Sequence, residues 1–253
     1  MNTESQQDRV SGGDSAASDL RPWCRTGGIV AWILIAYSLA TIVQLLVLGG
    51  PPATAAEAFA LLHENRVLGL LRLDLPTVAV MPLYYLLFLG LYAALRSSDR
   101  ANVTLSLALV FSGVTLLLAT PTALSMIPLS DKYAVAATEA AKLQILASGE
   151  ALLATDIWHG TGAIVGGILV QSGALLISAV MLRSNVFSKT TGYVGILTHG
   201  LDLAHILIGL FVPAAGVVLM TIAGPLYLVW FPLIGRRLLQ LAAENRTLRI
   251  AHG

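Results

Sequence analysis

Six ionisable side chains stand inside or at the mouths of long apolar runs: Arg72, Asp74, His159, His199, Asp202 and His205, with Asp156 just ahead of His159. An ionisable group in hydrocarbon costs ~2.5–3.5 kcal/mol at a helix centre on insertion scales, so each is a functional hypothesis until it finds a partner. Three kinds of chemistry suit these residue types. Carboxylates and histidines lining a wet intramembrane pocket bind a proton, an ion or a small molecule, as a sensor or transporter does. Alternatively, His159, Asp202 and His205 offer the three N/O ligands of a catalytic zinc, with Asp74 or Asp156 as base, which describes a membrane-embedded metal-dependent hydrolase. A haem held by two histidines on facing helices is a further option. No His-x-x-x-His or His-Glu-x-x-His spacing is present. No cofactor is therefore expected, and zinc and haem stand as the alternatives.

Spacing narrows the set. His199, Asp202 and His205 are three residues apart, so at ~100° per residue they share one helix face. Asp156 and His159 share a face too, whereas Arg72 and Asp74 point roughly 200° apart and cannot pair on their own helix. At a rise of ~1.5 Å per residue, Arg72 and Asp74 lie ~9 and ~12 Å below the outer end of their span. His159 lies ~5 Å, His205 ~10 Å and Asp202 ~15 Å down on the same measure. Most of the polarity thus gathers in the outer half of the bundle, with His199 deeper. The candidate ligand- or proton-binding residues are Arg72, Asp74, His159, Asp202 and His205, and Arg72 is the leading cation to stabilise Asp202. Plainer uses compete: Arg72 snorkelling to the interface, Asp156 and His159 capping a helix start, and histidines that simply pack. A purely structural or assembly role stands against every site reading.

The elements that must position these residues are membrane helices. The chain has 253 residues, of which 56% are hydrophobic and 11% charged, less than half the charge of an ordinary soluble domain. Apolar runs at about 27–48, 67–95, 101–127, 157–182, 191–212 and 216–239 are each long enough to cross a bilayer. The expected fold is an all-α membrane protein, a six-transmembrane-helix bundle over 27–241. It is flanked by a disordered cytoplasmic tail at 1–26 and a cytoplasmic tail at 242–253. With the N-terminus inside, eleven Lys and Arg fall in inner segments and three (Arg66, Lys132 and Lys142) in outer ones. That bias puts both termini in the cytoplasm of a cell-membrane protein.

Two outer segments read as helices. Thr54 and Glu57 have capping-box spacing ahead of a short helix at 55–64. The alanine-rich stretch at 130–155 reads as one longer amphipathic helix on the membrane surface. A net charge of +1 with no basic stripe gives no reason to expect a nucleic-acid partner. The single cysteine, Cys24, excludes an intramolecular disulfide. The expected partners are the bilayer and an unidentified small molecule.

The stretches beginning at Leu129-Ser-Asp-Lys-Tyr, Ala147-Ser-Gly-Glu and His159-Gly-Thr, together with Met181-Leu-Arg-Ser-Asn, Thr191-Gly-Tyr-Val-Gly and Ile234-Gly-Arg-Arg-Leu, form a recognisable set. Leu73-Asp74-Leu and Pro82-Leu-Tyr belong with them. The set resembles a bacterial family of uncharacterised multi-pass membrane proteins, catalogued as domain of unknown function 4386. The resemblance covers about 27–241 and implies a helical membrane protein without assigning an activity. His199, Asp202 and His205 lie outside that pattern, so a site built on them would be particular to this chain.

Overall fold

The computed structural model describes residues 20–120 and 122–250, and they form helices joined by short connections with no strand among them. In chain order these are α1 (Arg21–Leu48), α2 (Ala55–Glu64), α3 (Arg66–Arg72), α4 (Leu75–Val80), α5 (Leu83–Leu95), α6 (Arg100–Leu118), α7 (Ala123–Ala134), α8 (Glu139–Leu153), α9 (Thr161–Arg183), α10 (Lys189–Gly209) and α11 (Pro213–Ile250). Residues 1–19 of the expected tail lie outside the described residues. Residues 21–26, expected in that tail, instead form the first turns of α1, where Pro22 sits in the helix's opening turn with no amide to leave unpaired.

Six long elements close into a ring. α1 packs on α5, α5 on α6, α6 on α9, α9 on α10, α10 on α11, and α11 returns to α1. α5 also touches α9 and α11, so it leans into the ring and fills it. Its Leu87, Phe88, Leu91 and Leu95 are fully buried alongside Trp230, Phe231 and Ile234 of α11. Close approach of α6 and α9 depends on missing side chains: a Cβ on Gly113 would lie 2.5 Å from the Gly166 carbonyl oxygen. Large apolar side chains such as Leu46, Val47 and Phe211 face outward, the inverse of a water-soluble surface.

Five helical stretches are long and apolar enough to cross a membrane: Arg21–Leu48, Leu75–Leu95, Arg100–Ala134, Thr161–Arg183 and Pro213–Glu244. α10 is long enough, at 21 residues, but it falls outside that group because Lys189, His199, Asp202 and His205 dilute its apolar character. It is nonetheless a full stave of the ring, held between α9 and α11.

The second run is not one continuous helix. It breaks after Arg72 and again at Met81–Pro82, where Pro76 and Pro82 cannot donate to the helical ladder. The stretch at 130–155 is also two pieces: α7 stops at Ala134, and Thr138 restarts the chain as the N-cap of α8, accepting from the Ala141 amide. The short helix at 55–64 forms as read. Thr54 accepts the Glu57 amide at 3.2 Å as the N-cap, while Glu57 accepts the amide of Ala53, one residue ahead of the cap, at 3.0 Å, a shifted version of the capping box. At the other end of the bundle Asp99 caps α6, and hydrogen bonds from the Asn102 side chain and backbone hold its carboxyl below the ordinary range.

α2, α3, α7 and α8 build a cap over one end of the ring, with a small core of Ala55, Ala58, Phe59, Leu62 and Met126. Carboxyl groups stitch it together. Asp74, buried in the break between α3 and α4, accepts from the Thr122 amide at 2.6 Å, the Thr122 hydroxyl at 3.1 Å and the Ala123 amide at 2.9 Å. It thereby caps α7 from a distant part of the chain. Glu150 does the same for α2 by accepting the Ala55 amide at 2.7 Å. A buried donor stranded without a partner costs ~1–3 kcal/mol. Asp74→Leu, which strands three donors at once, should therefore lower the thermal midpoint in detergent by many degrees, whereas Asp74→Asn, which retains one acceptor oxygen, should lose less.

Candidate functional site

Four polar side chains from three adjacent staves meet inside the ring. Gln171 comes from α9, His199 and Asp202 from α10, and Tyr227 from α11. Counted along their helices at ~1.5 Å per residue, they lie roughly 10–21 Å from the cap end of the bundle. Water is scarce at such depth, so each polar atom depends on its protein neighbours.

The Gln171 amide donates from Nε2 to Asp202 Oδ2 at 2.6 Å, and the Tyr227 hydroxyl donates to the same oxygen at 2.7 Å. Both bonds converge on Oδ2, which leaves Oδ1 without a hydrogen-bond partner among the described residues. Gln171 then presents Oε1 to His199 Nδ1 at 2.7 Å. A carbonyl oxygen only accepts, so Nδ1 carries the ring proton and Nε2 keeps a bare lone pair. The Tyr227 oxygen also stands 3.3 Å from Gln171 Oε1 and 3.5 Å from His199 Nδ1, closing the group into a compact network.

His199 is fully buried, and its Nε2 has no hydrogen-bond partner among the described residues. Trp230 meets the imidazole edge-on, with centroids 4.5 Å apart and planes at 85°, and its own Nε1 is likewise unpaired. Gly195, one turn before His199, makes room for that indole: a Cβ there would lie 2.5 Å from Trp230 Nε1. Tyr227, Phe231 and Tyr84 complete an aromatic wall, with ring centroids 5.5 and 6.5 Å apart along it. Tyr84 and His205 lie within electrostatic range of Asp202.

The other candidate residues are dispersed. Arg72, expected to face Asp202, instead ends α3 and turns into the cap, donating from Nε to the Gly50 carbonyl at 2.9 Å and pairing with Glu57 at 2.9 Å. The break after Arg72 sends its guanidinium that way. Asp74 is the cap of α7 described above. Asp156 accepts the amides of Trp158 and His159 at 2.8 Å each, and its carboxylate meets the exposed His159 ring at 2.9 Å. His205 donates from Nδ1 to the Gly216 carbonyl at 2.9 Å and staples the tight turn between α10 and α11. His159, Asp202 and His205 are thus not gathered as a ligand set, and no group of three His, Cys, Asp or Glu in metal-holding geometry occurs among the described residues.

Gln171 and Tyr227 were not candidates on sequence grounds, because attention to ionisable groups passes over a neutral amide and a phenol. Two signals were available. Gln171 is a lone amide in an otherwise apolar run, and such groups hydrogen-bond across helices. Tyr227 lies too deep in its helix to serve as an interfacial anchor. Comparison with protein-family models, with curated proteins and with solved structures returns no match.

The rearranged pairing is testable by mutant cycles on thermal stability. Arg72→Leu with Glu57→Gln should show a coupling of roughly 1 kcal/mol. Arg72→Leu with Asp202→Leu should be additive to within ~0.5 kcal/mol.

Proposed function

We propose that this chain is a six-span membrane protein whose intramembrane Asp202 reversibly binds a proton, as a proton-responsive sensor or a proton-coupled carrier requires. One observation carries the reading. Asp202 is bonded to two neutral donors, Gln171 and Tyr227, and no lysine or arginine forms an ion pair with it among the described residues. A carboxylate in hydrocarbon must be neutralised, paired or wetted. Without a cation, its inexpensive neutral form is the protonated one, and the free Oδ1 leaves room for exchange.

The closed ring supports counting α10 as a sixth span between two that qualify on their own. With six spans and the arginine-rich ends inside, both termini are cytoplasmic and the cap faces outward. The resemblance to the uncharacterised membrane family fits this plan. The hydrolase alternative needs His159 beside Asp202 and His205, and no contact supports it.

Two measurements check the proposal. Infrared titration of the protein in vesicles should reveal a protonated-carboxyl carbonyl band that disappears at high pH and is missing from Asp202→Asn. A wild-type band set identical to the variant's at every pH would refute proton binding at Asp202. For topology, single cysteines at Ser98, Ser148 and Ser188 in a Cys24→Ser background are the probes. Ser148 is preferred to its neighbour Gly149, where a Cβ would meet Ala55 and Phe59. Only position 148 should react with an impermeant reagent in intact cells, and labelling at 98 or 188 contradicts the orientation.

A further inference from the structure

We infer that His199 and Tyr227 form a proton relay into Asp202, with the bare Nε2 of His199 as its entry point and rotation of the Gln171 amide locking the loaded state. This rests on the proton-binding reading of Asp202 and adds the route and the companion group. His199 Nε2 is a buried acceptor with nothing to accept from, an expensive arrangement in a protein interior. The rest of the ring is committed: Nδ1–H is held by Gln171 Oε1 and stands 3.5 Å from the Tyr227 oxygen, which is 2.7 Å from Asp202 Oδ2.

The transfer balances. A hydronium ion gives its proton to the Nε2 lone pair, leaving a water molecule and an imidazolium. Its Nδ1–H bond then breaks as the proton passes to the Tyr227 oxygen, and the Tyr227 O–H bond breaks as its original proton forms a new O–H bond on Asp202 Oδ2. Tyr227 ends as it began, a neutral phenol. His199 ends neutral with its proton on Nε2, and Asp202 ends as a neutral acid. One proton has been taken up.

The product state no longer suits the amide as it stands, since Gln171 Nε2 would face an acid O–H and Gln171 Oε1 a bare Nδ1. Rotating the amide by half a turn cures both mismatches. Asp202 O–H then donates to Oε1, and Nε2–H donates to Nδ1. The network therefore has two self-consistent settings, one for each charge state of Asp202, and Gln171 is the pivot between them.

The groups around Asp202 come from every neighbouring stave, and His205 is the one nearby side chain that can carry a positive charge. Gln171 comes from α9, Tyr227 from α11, Tyr84 from α5, and His199 and His205 from its own helix. His205 is engaged through Nδ1 with Gly216. The Tyr37 hydroxyl of α1 is bonded to the Thr77 hydroxyl at 2.9 Å.

Two readouts test the relay in the full chain in lipid vesicles. Nitrogen NMR of 15N-histidine-labelled protein should show His199 neutral with Nδ1–H at high pH and neutral with Nε2–H once Asp202 is protonated. A tautomer that stays the same through the Asp202 titration overturns the amide lock. In the second, a pH jump is followed by time-resolved infrared on the Asp202 carbonyl band. His199→Asn keeps a donor near the Nδ1 position but has no Nε2, and it should slow protonation by roughly a hundredfold, the lower end of what a positioned acid–base group contributes. His199→Gln, which restores a polar group near Nε2 without a relay, should be equally slow. Unchanged rates in both variants overturn the entry route while leaving proton binding at Asp202 standing. A wild-type protein in which Asp202 never titrates removes both.

Discussion

The bundle turns on the carboxyl of Asp202. A carboxylate placed inside an apolar ring must have its charge neutralised or its lone pairs met, and here both donors come from other helices. Gln171 reaches it from α9 and Tyr227 from α11, so the rotation of three neighbouring staves is set by one oxygen atom. A helix turned by one residue, ~100°, would carry its polar group away from the other two. α10 could not sit between α9 and α11 on apolar packing alone, because its polar face needs these partners. Gly195 and Trp230 add the steric half of the same constraint.

Carboxyl groups do different work in the cap. Asp74 and Glu150 end their bonding at backbone amides of helix starts, and Arg72 and Glu57 tie the first turn of α2 to the end of α3. Each group is used up in holding one segment against another. Asp202 differs in meeting only side-chain donors from other helices, and in standing beside a histidine whose Nε2 lone pair has no partner among the described residues. On the proposed reading, that difference is what lets Asp202 change its protonation state while the cap carboxyls hold the fold.

Much of this architecture was readable from residue order. Long apolar runs marked the staves, Thr54 and Glu57 marked the short helix to the residue, and the three-residue spacing put His199 and Asp202 on one face. The breaks were harder. Pro76 and Pro82 signalled a weakened ladder, but the chain's separation into α3, α4 and α5 depends on the cap that rewards it with the Asp74 bonds. Depth along a helix was a poor guide to pairing. Arg72 and Asp202 had compatible depths, yet helices at different places on a ring can match in depth and never meet. Gln171 and Tyr227 are hard to single out in the sequence because an uncharged hydrogen-bonding group hardly changes the hydropathy of its run, although it is what a buried carboxyl without an ion-paired lysine or arginine requires.

If Asp202 is satisfied by neutral donors and works as a titrating acid, the stability of Asp202→Asn across pH is the most direct test. Asparagine can still accept from Gln171 and Tyr227 through its oxygen and carries no charge to bury. The variant should melt at or above the wild-type temperature at high pH, with the pH dependence due to this position lost. A large loss of stability at every pH, of the ~3–5 kcal/mol expected when one partner of a buried ion pair is removed, would contradict a neutral, titrating Asp202.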